Sequence, residues 1–118
     1  MKLAIILCLI ATILVSCSTG KDSGADKLDG ADVLIDVRTA GEFNGGHLAD
    51  ALNIAYDEIG GRIAEHAKSK DDRIVLYCRS GHRAGIARQT LLKMGYTDVV
   101  NAGSYSTLKR QQEQSTEK

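Results

Sequence analysis

Ile74-Val75-Leu76-Tyr77-Cys78-Arg79-Ser80-Gly81-His82-Arg83-Ala84-Gly85 reads as a strand, a tight loop and the start of a helix. Ile74 to Tyr77 is a continuous apolar run, the pattern of a strand buried on both faces. From about Arg83 to Lys93 a helix places Ala87, Leu91 and Met94 on one face and ends at Gly95. The flanking chain repeats this alternation. Upstream, Val33-Leu34-Ile35 is a second buried strand ending at Asp36-Val37-Arg38, and Ala40 to Asn44 is a short helix stopped by Gly45-Gly46. Ala51 to Ile54 is a weaker strand. Asp57 reads as the N-cap of a helix carrying Ile59, Ile63 and Ala67, although Gly60-Gly61 costs that helix about 1 kcal/mol per glycine. Downstream, Asp98-Val99-Val100 makes a last short strand and Tyr105 to Gln112 a terminal helix. Strands alternating with helices predict an α/β class, a single domain with a parallel sheet flanked by helices on both faces.

Composition removes several classes of function. The 118 residues suffice for one domain, and 15 Lys plus Arg against 15 Asp plus Glu leave no basic excess to hold nucleic acid. Aromatic residues are 4% of the chain, with no Trp and one Phe, too few for base-stacking platforms.

The N-terminus has a different character. Met1-Lys2 precedes an apolar run from Leu3 to Val15, shorter than the roughly 20 residues a membrane span needs, and small residues follow it. Residues 1–16 are therefore expected to be a signal peptide. Leu14-Val15-Ser16-Cys17 resembles a bacterial lipobox, which implies lipidation of Cys17 and an exported protein anchored in the periplasm or cell envelope. Residues 17–31, rich in Gly, Ser, Asp and Lys, read as a flexible tether, with the folded domain over 32–118. Of the three cysteines, Cys8 would leave with the signal and Cys17 would carry lipid. Cys78 is then alone, either an inert buried thiol or a reactive one.

The surroundings of Cys78 favour reactivity. Sites in parallel sheets lie at the carboxyl ends of strands, and a tight loop there turns successive N–H groups toward one point. The following helix adds its positive end, so an anion such as a thiolate is stabilised. Arg79 and Arg83 add cationic charge. Arg83 has two readings, an anion ligand or an ion-pair partner of Asp36 or Glu42; His82 is either a general base or a solvated loop residue. His47, His66 and Cys78 lack the spacing of metal ligands, so no metal is assigned.

Leu34 to Arg38, Glu42-Phe43, Gly46-His47-Leu48, Ala51 to Ile54, Cys78 to Arg83 and Asn101-Ala102-Gly103 together resemble the rhodanese family of sulfurtransferases, notably its small single-domain exported members of the phage-shock type. The resemblance implies a persulfide carried on Cys78, substrate contacts from Arg79, Ser80, Gly81, His82 and Arg83, and structural support from Asp36, Arg38 and His47. It implies a small-molecule sulfur donor and a thiol acceptor as partners, no cofactor, and a monomer. The chain departs from the family where Ala49 and Ala55 replace the usual prolines and where Asp50 and Ser104 stand at positions more often Gly. Two other functions compete. One is a sulfur-relay or thiol-binding module without turnover. The other is a phosphatase or arsenate reductase, whose loop has five residues between Cys and Arg; here four separate Cys78 from Arg83.

Overall fold

The computed structural model describes residues 27–116. Strands β1 (Val33–Asp36), β2 (Leu52–Asn53), β3 (Arg73–Cys78) and β4 (Asp98–Ser104) form one sheet in the order β2-β1-β3-β4. Every pairing is parallel. The helices are α1 (Ala40–Asn44), α2 (Ile59–Arg62), which runs into a 3₁₀ turn over Ile63–Glu65, α3 (His82–Lys93) and α4 (Tyr105–Thr116).

The strand period of two divides the core into layers. Val33, Ile35, Ile74 and Leu76 pack with Ile59, Ile63, Ala84, Ala87 and Leu91 on one face of the sheet. On the other face Val75 and Tyr77 meet Leu48, Ala102 and Leu108. Each fully buried Ile or Leu contributes about 1.5–3 kcal/mol, which explains why the strands read as unbroken apolar runs. The doubly covered parallel sheet is the predicted architecture, and it sets the carboxyl ends of β1 and β3 side by side: Asp36 pairs with Tyr77, one residue before Cys78.

Several local expectations change. Asp57 is not the cap of α2; Glu58 takes the N-cap position and makes no side-chain bond there. The helix lasts one turn before tightening, in keeping with the weak propensity of Gly60-Gly61. Gly60 has a packing role, because a Cβ at that position would lie 3.3 Å from Thr90 Cγ2 and 3.6 Å from Met94 Sδ. Met94 is 38% exposed at the end of α3, and Ala84 joins Ala87 and Leu91 on the buried face. β4 continues four residues beyond Val100, since pairing with β3 extends through a bulge that apolar patterning does not reveal. α4 runs on to Thr116.

At the other end, residues 27–31 of the expected tether lie on the domain. Leu28 and Ala31 pack against the layer around Val75, and Arg73 Nε donates to the carbonyl of Asp29 at 3.0 Å. The residues of the signal and lipobox lie outside those described. Among the described residues no helix is long and apolar enough to cross a membrane.

Two departures from the family pattern have visible consequences. Asp50 adopts φ +66, the left-handed region that glycine enters without cost and that Asp tolerates better than most residues. Ala49 donates its N–H to Gln112 Oε1 at 3.4 Å, a bond that a proline could not make.

Helix α1 is short and buries no residue, so its caps and ion pairs hold it. Thr39 Oγ1 accepts from the Glu42 N–H at 3.2 Å while Glu42 Oε1 accepts from the Thr39 N–H at 3.2 Å, a reciprocal capping box. The same carboxylate receives Arg83 Nη1 at 2.8 Å and Nη2 at 3.1 Å. These bonds, led by the one from Arg83, lower the Glu42 pKa from 4.5 to about 2. Between those values the unfolded chain binds the extra proton, so the stabilisation is complete above 4.5 and is lost as pH falls toward 2. In Glu42→Gln the urea midpoint should be lower near neutral pH and should decline less through that window. Wild-type and variant curves running parallel would contradict this.

Candidate active site

Cys78 ends β3, and α3 begins four residues later at His82. The residue is fully buried. Its Sγ accepts the N–H of Gly81 at 2.9 Å and lies 3.5 Å from the N–H of Ala84, inside the first turn of α3. Both donors belong to the end of a helix where N–H groups lack intrahelical partners, and the helix dipole adds partial positive charge. Gly81 makes this geometry possible. Its φ is +97, a conformation that costs a residue with a side chain about 1–2 kcal/mol.

The exposed part of the loop is Arg79, Ser80 and His82. None of the three side chains has a partner among the described residues, and the position of His82 offers no contact with Cys78 that would mark it as a base. Of the two partners considered for Arg83, Glu42 is the one it meets, and that pairing raises the Arg83 pKa. Asp36, the other acid considered, is taken by Arg38.

That second pair stands at the end of the strand next to the cysteine's own. Asp36 is fully buried and accepts Arg38 Nε at 2.9 and 3.0 Å, Arg38 Nη2, and the Arg38 backbone N–H at 2.9 Å. Arg38 Nη2 also donates to the carbonyl of Gly46 at 2.7 Å, and its guanidinium lies 4.4 Å from the centre of the Tyr105 ring. The bond to Asp36 raises the Arg38 pKa against the opposing effect of burial. Tyr77 Oη accepts the N–H of Leu48 at 3.1 Å, and burial pushes its phenol well above the usual range. At Gly46, φ +146, a Cβ would come within 2.8 Å of Tyr105 Oη, so a side chain there would strain the backbone and displace the Tyr105 ring. His47 stacks on Phe43 at 3.7 Å and its Nδ1 lies 3.0 Å from the Phe43 carbonyl at the end of α1.

Together these residues shape a groove of about 520 Å³ beside the loop, lined by Arg38, Glu42, Gly46, Arg79, Tyr105 and Ser106 among others. Its charges are mostly paired; Arg79 is the exception. Tyr105 and Asn101 were not singled out as site residues from the sequence, although the Asn-x-Gly spacing at the end of an apolar strand is the signal that could have drawn attention to Asn101. Asn101 bridges Gly81 and Gly103. No group of three or more His, Cys, Asp or Glu able to hold a metal occurs among the described residues.

Comparison with known proteins gives this geometry a family. Residues 20–110 match the rhodanese-like domain. Thiosulfate sulfurtransferase PspE of Escherichia coli K12 is 40% identical over 73 residues, 62% of this chain and 70% of that protein. A sulfurtransferase of Allochromatium vinosum is 40% identical over 69 residues, 58% of this chain and 63% of that protein, less than two thirds of its length. Among solved structures, a rhodanese with anions from E. coli superposes with a TM-score of 0.63 at 38% identity, covering 65% of this chain and 91% of its own. The human single-domain sulfurtransferase TSTD1 follows with a TM-score of 0.60 at 29% identity, covering 69% and 83%. A parallel sheet that delivers one cysteine to the N–H groups of Gly81 and Ala84, with this degree of likeness, settles the assignment: the chain belongs to the rhodanese family and has a sulfurtransferase type of activity.

Proposed function

We propose that the protein moves a sulfane sulfur from thiosulfate, or a similar donor, through a persulfide on Cys78 to a thiol acceptor. The observation that carries this reading is the pair of N–H groups, from Gly81 and Ala84, directed at Cys78 Sγ. In the first half-reaction the thiolate attacks the outer sulfur of thiosulfate. The S–S bond of the donor breaks, its electron pair leaves with sulfite, and Cys78 becomes Cys78–S–S⁻. In the second, an acceptor thiolate, or cyanide in an assay, attacks the terminal sulfur and the electron pair returns to Cys78. Each anionic state is stabilised by fixed backbone dipoles, the logic of an oxyanion hole. Cys78 is fully covered, so a donor reaches it only once the sulfur becomes accessible. Arg79 is placed to attract the anionic donor. Arg83, held by Glu42, supports α1 and the loop from behind; in this account it acts as a structural residue, which also weighs against a phosphatase-type reaction needing that arginine on the oxyanion.

Incubation with thiosulfate should add one sulfur to Cys78, seen by mass spectrometry, and a thiol should remove it with turnover. Cys78→Ser should retain the fold and lose transfer to cyanide, because a hydroxyl is near-isosteric but holds no sulfane sulfur. Transfer near the wild-type rate in that variant would place the activity elsewhere. A single loading that no small thiol discharges would favour the relay module.

Leu14 to Cys17 support an exported protein anchored through lipid on Cys17, with the domain in the periplasm or cell envelope. A labelled fatty acid should mark the wild type and not Cys17→Ala. Label retained in the variant would contradict the anchor.

A further inference from the structure

The N–H groups facing Cys78 are held by bonds within the loop and by one bond from outside it. Gly81 is the pivot, because its own N–H is the short donor to sulfur and its carbonyl opens α3 by accepting from the Gly85 N–H at 3.0 Å. That carbonyl has a second donor from another strand. Asn101 Nδ2 binds it at 2.9 Å, while Asn101 Oδ1 accepts the N–H of Gly103 at 3.0 Å.

The bulge in β4 makes this reach possible. Leu76 pairs with Asn101 and Cys78 with Ser104, so Ala102 and Gly103 stand opposite the single residue Tyr77. An extra residue in one strand re-aims the neighbouring side chains. Here it leaves Asn101, on the strand next to the cysteine's own, bonded to the loop. Its amide also packs beside Gly85, where a Cβ would sit 3.6 Å from Nδ2.

We infer that Asn101 is a positioning residue for sulfur transfer, fixing Gly81 and the start of α3 so that the Gly81 and Ala84 N–H groups stay on the Cys78 sulfur. The inference rests on Cys78 being the sulfur carrier. It assigns the two ends of Asn101 different tasks. The donor end acts on the cysteine through Gly81, and the acceptor end shapes the bulge through Gly103.

That division supplies the test. Asn101→Asp keeps an acceptor for Gly103 and loses the donor to Gly81; Asn101→Leu loses both at similar volume. On the purified full chain, single-turnover sulfur loading from thiosulfate and alkylation of Cys78 by uncharged iodoacetamide are measured, with circular dichroism and thermal melting as checks of the fold. High salt is used to screen the charge that Asp adds. Loading should slow about tenfold to a hundredfold in both variants, the cost of a small misplacement of reacting groups. Steady-state kcat should fall while the acceptor KM stays. If Leu fails to fold, Asn101→Ser replaces it. Wild-type loading in a folded Asn101→Asp would overturn the inference and leave Asn101 as a residue of the bulge alone. Were the wild type itself to take no sulfur on Cys78, the sulfur-carrier reading would fail; a normal alkylation rate in both variants would then remove the positioning role as well, and a slowed rate would retain it for the thiol.

Discussion

A buried carboxylate at the end of a central strand is costly, and the site is organised around the way Asp36 is neutralised. Arg38, two residues on, supplies its side chain and its own backbone N–H to that carboxylate, then spends a remaining donor on Gly46 and its flat face on Tyr105. One guanidinium thereby joins β1, the turn after α1 and the first residue of α4. Removing one partner of a buried pair leaves an uncompensated charge and typically costs about 3–5 kcal/mol. The groove beside the cysteine loop therefore has walls that are fixed before any substrate arrives.

Around that fixed floor, charge is distributed unevenly. Glu42 occupies Arg83, and Asp36 occupies Arg38, so two of the three arginines near the loop are ion-paired. Arg79 is left exposed. The sulfur is met by neutral N–H dipoles at contact distance, which salt screens little compared with an exposed cation. A carrier whose substrate, intermediate and product all place negative charge near one sulfur benefits from such dipoles, because they need no reorganisation between half-reactions. Four residues between Cys78 and Arg83 make a cradle suited to this compact task.

The sheet and the loop were legible because parallel strands announce themselves as apolar runs and because Cys78 falls where such a run meets a helix. The short α1 could be placed from Gly45-Gly46 alone. The acid that partners Arg83 could not, since Glu42 lies 41 residues away and only the fold brings the two together. β4 outruns its apolar residues for a related reason: Asn101 and Gly103 look like loop residues, and their place in a strand depends on a bulge defined by the neighbouring β3. Asp57 failed as a cap because tertiary packing of Ile59 and Ile63, and the bare backbone of Gly60 against Thr90, fix the register of that turn. Local chemistry predicted what local chemistry controls; contacts between distant segments supplied the rest.

If the anion formed in each half-reaction rests on the loop's own N–H groups, a crystal structure of the protein after reaction with thiosulfate will contain one additional sulfur bonded to Cys78 Sγ, its negative terminus within hydrogen-bond distance of loop N–H groups and Arg83 still bound to Glu42. A terminal sulfur turned away from the loop and held by Arg83, or sulfur bonded to any other residue, would contradict it.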